Sequence, residues 1–75
     1  MKSLYTQRQE RLRAILKEAR LAAGLNQQQL CNRLKRNRNF VSAVERGIVM
    51  LDAIEFIEYA EALGLDARKL LGKIL

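Results

Sequence analysis

Arg38 and Asn39 stand side by side at the head of a short segment with helical apolar spacing, and their side chains suit one kind of chemistry. A guanidinium can fork two N–H donors onto the O6 and N7 of guanine, and an amide can pair one donor and one acceptor with the N6 and N7 of adenine. Ser42, a turn further on, and its neighbour Ala43 would share that exposed side. Bond-making chemistry has far less to work with. The chain holds no histidine and one cysteine, Cys31, so Ser-His and Cys-His nucleophiles, Cys/His zinc sites and disulfide frameworks are excluded. An enzyme is not expected. No cofactor, metal or small-molecule ligand is implied, although a cation held by carboxylates alone stays formally open.

The charge distribution points the same way. Residues 1–46 carry eleven basic side chains against Glu10, Glu18 and Glu45, a balance of +8, while residues 47–75 balance to −2. A basic half joined to a mildly acidic one suggests a polyanion-binding face and a second face for another contact; the plainer alternative is a solvated surface with chance clustering. With 49% hydrophobic residues in 75, disorder is not expected, and one small domain is. No apolar run approaches the ~20 residues of a membrane span, and Met1-Lys2-Ser3-Leu4-Tyr5 lacks the apolar stretch of a signal peptide. A cytoplasmic protein with no membrane partner is expected.

The elements that must position Arg38 and Asn39 are helices. Leu12, Ile15, Leu16, Ala19 and Ala22 recur at i, i+3, i+4 and i+7, and Thr6 with Gln9 reads as a capping box, so a first helix should run over about 7–23. Asn26 and Gln29 open a second, with Leu30, Cys31 and Leu34 on one face. Asn37 can cap a third over 38–46, with Val41 and Val44 inward. Asp52 and Glu55 open a fourth, whose inward stripe reads Ile54, Ile57, Ala60 and Leu63, and Asp66 caps a fifth. Glycines 24, 47, 64 and 72 each follow such a segment and should close it. No strand-like alternation occurs. The fold class is all-α: a compact five-helix domain over residues 1–75 with a central helix-turn-helix at about 27–46.

Two short helices joined by about three residues cannot stand alone and must lie on the first and fourth, leaving the outer side of 38–46 to enter a groove. In register, Leu25-Asn26-Gln27-Gln28-Gln29-Leu30, the small residue at Cys31, and Val41-Ser42-Ala43-Val44-Glu45-Arg46-Gly47 resemble the XRE family, the phage repressor and Cro type of helix-turn-helix regulator. Leu51-Asp52, Glu55-Phe56 and Ala62-Leu63-Gly64-Leu65 extend the likeness over roughly residues 10–71.

The resemblance implies a double-stranded DNA partner and assigns roles. Arg38, Asn39, Ser42 and Ala43 would contact bases. Gln27, Lys35, Arg36, Asn37, Phe40 and Arg46 would contact the backbone, and Arg20 would pair with Glu45 as a structural ion pair. Many members have glycine where Lys35 stands and a small apolar residue where Arg36 stands. Phe40 either packs back onto the second helix or presses on a deoxyribose or thymine methyl. Cys31 reads as a small buried residue at a helix approach rather than a redox switch.

The expected function is a sequence-specific regulator of bacterial or phage origin, a homodimer repressing transcription on a two-fold operator. It would be either a stand-alone protein or the DNA-binding piece of a longer one. The alternative is an antitoxin or adaptor using the same fold to hold a protein partner. Apolar residues beyond what one core needs place the dimer contact at Phe56, Tyr59, Leu71 and Ile74; otherwise the tail folds back to seal its own core.

Overall fold

Short-range capping sets where the helices begin. In a computed structural model, which describes residues 6–75, five helices form: α1 (Gln7–Ala22), α2 (Gln27–Leu34), α3 (Phe40–Glu45), α4 (Ala53–Ala62) and α5 (Ala67–Gly72). The stretch 1–5, considered above for a leader, lies outside the described residues. Thr6 Oγ1 accepts from the Gln9 N–H at 3.2 Å. Asn26 and Gln29 form a reciprocal capping box at 2.8 Å in both directions, and Asp52 and Glu55 form another. Each box satisfies two amide groups that a helix start would otherwise leave unpaired.

The helix ends share a second device. At Gly24, Gly47 and Gly64 the backbone turns left-handed, and the next residue's N–H returns to a carbonyl five residues back. Gly72 is different: it lies inside α5 and has no positive φ, so the chain leaves α5 through Lys73 instead.

Leu16, Leu30, Val41, Val44, Tyr59, Ala60, Leu63 and Leu70 meet in one core, with Leu12, Ile15, Leu34 and Phe56 packed around it. α3 touches both α1 and α2, while α2 and α5 both lie on α4. Arg33 Nη1 donates to the Ala62 carbonyl at 3.0 Å, which ties the outer side of α2 to the end of α4. Arg11 Nη1 does the same for the Ile74 carbonyl at 3.1 Å, holding the chain's end against α1. Cys31 is fully buried, as its small size at the helix approach suggests. No helix among the described residues is long and apolar enough to cross a membrane.

α4 presents only part of the expected face: Ala60 and Leu63 are buried as the inward stripe requires. Ile54 and Ile57 point outward, while Tyr59 is wholly buried and Phe56 is partly so. The reason is volume. Tyr59 fills the space beside Phe40, ring centroids 6.4 Å apart, and an aromatic ring brings more apolar volume to that space than an isoleucine. Two of the residues assigned to a dimer contact are therefore corrected. Tyr59 belongs to the protomer's own core, and Ile74 is buried against it by the tail's return. Leu71 stays exposed, and it lines an open apolar groove of about 740 Å³ with Leu12, Phe56 and Ile57.

Candidate nucleic-acid interface

The turn between α2 and α3 begins at Lys35, whose φ of 57° and ψ of 41° place it in the left-handed region. Lys35 N–H donates to the Asn32 carbonyl at 3.2 Å and Arg36 N–H to the Cys31 carbonyl at 3.1 Å, the paired bonds of a Schellman closure. Lysine thus performs what glycine does at the other helix ends. Its strain is offset by the two carbonyls that the turn satisfies, one through the Lys35 N–H and one through the Arg36 N–H.

Asn37 then folds the chain again. Its Oδ1 accepts from the Asn39 N–H at 3.0 Å, and its carbonyl accepts from the Phe40 N–H at 3.1 Å. That local turn delays the helix by two residues against the expected start at 38. Arg38 and Asn39 lie in the turn ahead of α3, not in its first helical turn. Asn39 is the N-cap by position, yet its side chain makes no capping bond. Its amide remains available to an external partner.

α3 buries Phe40, Val41 and Val44 against the core. Its outer side carries the exposed Arg38, Asn39 and Arg46 and the half-buried Ser42 and Ala43, with exposed Lys35, Arg36 and Asn37 leading up to it. Among the described residues Arg38 and Lys35 have no ion-pair partner, and Arg46 only leans Nε on the Ser42 carbonyl at 3.4 Å. The four residues expected to contact bases thus share one surface. That surface carries the positive charge of Lys35, Arg38 and Arg46 beside an exposed helix side, and an α-helix is of a size that a major groove admits.

Phe40 and Arg36, two of the residues expected at the DNA backbone, also engage partners within the protein. Phe40 is buried, its ring tilted against Tyr59 and covered by the Arg36 guanidinium, whose Cζ lies 3.9 Å from the ring centroid. It is a core residue. Arg36 is held in turn by Glu55 Oε2 at 3.1 Å. The spacing of the chain carries no sign of that pair, because its members lie nineteen residues apart on different elements.

Gln27 is half-buried at the head of α2, where its Nε2 donates to Glu45 Oε1 at 3.0 Å. Glu45 also receives Arg20, through Nε to Oε2 at 2.7 Å and Nη2 to Oε1 at 3.1 Å, while Arg20 Nη1 reaches the Leu25 carbonyl at 2.9 Å. The hydrogen bonds that it donates to Glu45 hold the Arg20 guanidinium above its ordinary pKa. Three elements are thereby pinned at one carboxylate: the end of α1, the start of α2 and the end of α3. Arg13 is a further structural cation that sequence reasoning missed. Its guanidinium lies so close to Gly47 that a β-carbon there would meet it at 3.0 Å.

A short second helix, a left-handed turn and a third helix with its outer face bare form a helix-turn-helix, and the chain matches that family over residues 16–70. It belongs to the XRE-type helix-turn-helix family. Among solved structures it is similar to an XRE-family like protein from Pseudomonas syringae pv. tomato. The two are 42% identical with a TM-score of 0.85, over 89% of this chain and 82% of that one. It is also similar to a protein described as a hypothetical transcription factor, NHTF, from Neisseria. There the identity is 28% and the TM-score 0.77, over 95% of this chain and 80% of that one. No curated protein matches it. As an XRE-type helix-turn-helix domain the protein is a binder of double-stranded DNA, of the class that serves transcription regulation.

Proposed function

We propose that this XRE-type protein is a sequence-specific transcription regulator that binds a two-fold operator as a homodimer and represses by occluding the promoter. The observation that carries this reading is the cluster on and before α3. Arg38 and Asn39 are exposed with side chains not engaged by the protein, Ser42 and Ala43 lie on the same face, and Lys35 and Arg46 flank them with positive charge. Arg38 and Asn39 offer bidentate groups for base edges, and the flanking cations suit phosphates. No step of this mechanism makes or breaks a covalent bond. The protein acts by occupying its site.

Selection from randomised duplex DNA tests the reading. A two-fold motif should be recovered, and Arg38→Ala should relax one position per half-site at a cost of ~1–3 kcal/mol. Binding should also be electrostatic: if two protomers neutralise about 6–10 phosphates, affinity falls roughly 10³–10⁵-fold between 50 and 200 mM salt. An antitoxin or adaptor would select no motif and show a salt slope near zero.

A further inference from the structure

We propose that Arg36 is a positioning residue for DNA reading rather than a phosphate ligand, and that Glu55 is its partner in that role. The inference rests on the DNA-binding reading above and concerns which residues set its specificity.

The guanidinium of Arg36 is held on two sides. Its face covers the Phe40 ring at 3.9 Å, and its Nη1 donates to Glu55 Oε2 at 3.1 Å. The other oxygen of the same carboxylate accepts from the Asp52 N–H at 3.0 Å, closing the capping box of α4. One carboxylate therefore joins the start of α4 to the turn, and one guanidinium joins the turn to the first residue of α3. A planar cation stacked on an aromatic and paired at its edge is far more restricted than a solvated arginine.

The location gives this bracket its consequence. Arg38 and Asn39 lie between Arg36 and Phe40, so the two residues that face the bases hang from a short turn clamped at both ends. α3 is only six residues long, and its N-cap side chain makes no bond to hold its start. Without Arg36, Phe40 loses its outer cover and the turn loses its tie to α4. The directions of Arg38 and Asn39 then blur. The positive charge of Arg36, by contrast, already faces a carboxylate. Moving the guanidinium out to a phosphate beyond its present reach would mean leaving both Glu55 and the ring.

Three substitutions separate the roles: Arg36→Met, Arg36→Lys and Glu55→Gln. Glutamine is isosteric and keeps an oxygen for the Asp52 N–H, so this variant preserves the helix cap while breaking the ion pair. For each, the full chain is titrated with its selected motif and with random duplex DNA across a salt series, after circular dichroism shows unchanged helix content. With Arg36 as a positioning residue, all three reduce the preference for the motif over random DNA. The reduction should equal the loss of one base contact per half-site, roughly 5- to 150-fold. The salt slopes of Arg36→Met and wild type should coincide. Arg36→Lys should not rescue, because an ammonium keeps the charge without the flat stack.

The opposite pattern would overturn the proposal: a slope reduced by about 0.9 per protomer in Arg36→Met, restored by lysine, with motif preference intact. Wild-type preference in Glu55→Gln would also overturn it. A wild-type chain that selects no motif would instead remove the DNA-reading premise, and the proposal with it. That outcome is recognised before any variant is measured.

Discussion

Arg20 and Glu45, at the ends of α1 and α3, meet through two hydrogen bonds of 2.7 and 3.1 Å with side chains only 7% and 5% exposed. The pair fixes the end of α3 against the end of α1, and Gln27 brings the start of α2 to the same carboxylate. A bidentate pair this deep is costly to break from one side, since the survivor is a buried charge without its counter-ion.

Glu45→Gln should therefore destabilise the fold by about 3–5 kcal/mol, whereas Glu10→Gln, at an exposed position of α1, should change little. A small domain has roughly 5–15 kcal/mol in total, so the first variant is near the edge of folding. Urea titration gives both values. A double-mutant cycle with Arg20→Met should return a coupling of at least ~1 kcal/mol; additive losses would show that the two side chains act independently.

Lys35 gives a prediction with two opposite signs. At a φ of 57° a side chain crowds its own carbonyl, and glycine does not. Lys35→Gly should raise stability by about 1 kcal/mol. If Lys35 also lies against a phosphate, the same variant should lower the salt slope of DNA binding by about 0.9 per protomer. A stabler protein that binds DNA with less salt dependence is the expected result, read from thermal melts and salt titrations. Loss of stability would mean that the lysine side chain holds the turn through contacts that outweigh its backbone strain.

The Tyr59 hydroxyl is buried and has no hydrogen-bond partner among the described residues. Tyr59→Phe removes a polar group whose desolvation is uncompensated, so it should be neutral or stabilising by up to ~1–3 kcal/mol, an unusual outcome for a core substitution. Burial also pushes the phenol pKa well above its ordinary value. The sign follows from proton binding: above about pH 10 the unfolded phenol loses its proton while the folded one keeps it. Wild-type stability should be level below that pH and fall as pH rises through it. In Tyr59→Phe this contribution to the alkaline loss should disappear, as denaturant titrations at rising pH would show.

How much of this was readable in the chain depends on distance along it. Caps such as Asn26 with Gln29 and Asp52 with Glu55 are local, and their i, i+3 spacing is enough to place three of the helix starts, with Asp66 alone marking a fourth. α3 resisted because Asn37 has two uses. It can cap a helix directly, or it can form the turn through the Asn39 N–H that carries the start to Phe40. On α4 two apolar stripes compete, and only the space beside Phe40 decides that Tyr59 is the one inside. The Arg20–Glu45 pair was legible through family likeness alone. The Arg36–Glu55 pair carries no local signature at all, which is why Arg36 reads as an ordinary groove-side residue and Phe40 stays open between packing inward and facing the groove.

The apolar surface left on α4 and α5 supports the proposed dimer and changes which residues test it. Ile54, Ile57 and Leu71 are 63%, 42% and 46% exposed, and Ile57 and Leu71 line the same open groove as Phe56. A soluble monomer seldom leaves several large aliphatic side chains adjacent on one face, so a second copy related by a two-fold axis is the expected cover. The rim carries both signs, Arg8 and Arg68 beside Asp52 and Glu61, so a like surface is not simply repelled. Such a contact on the side of helices four and five can set two reading helices about 34 Å apart, one turn of DNA. Ile57→Lys and Leu71→Lys should then convert a dimer to a folded monomer in sedimentation at tens of micromolar. They should also weaken binding to a two-half-site operator far more than binding to a single half-site. Tyr59 is no test of this contact, because a charge there would enter the core. If wild type and both lysine variants all sediment as folded monomers without DNA, this groove does not dimerise in free solution. If all three remain dimers, the two-fold contact lies on another face.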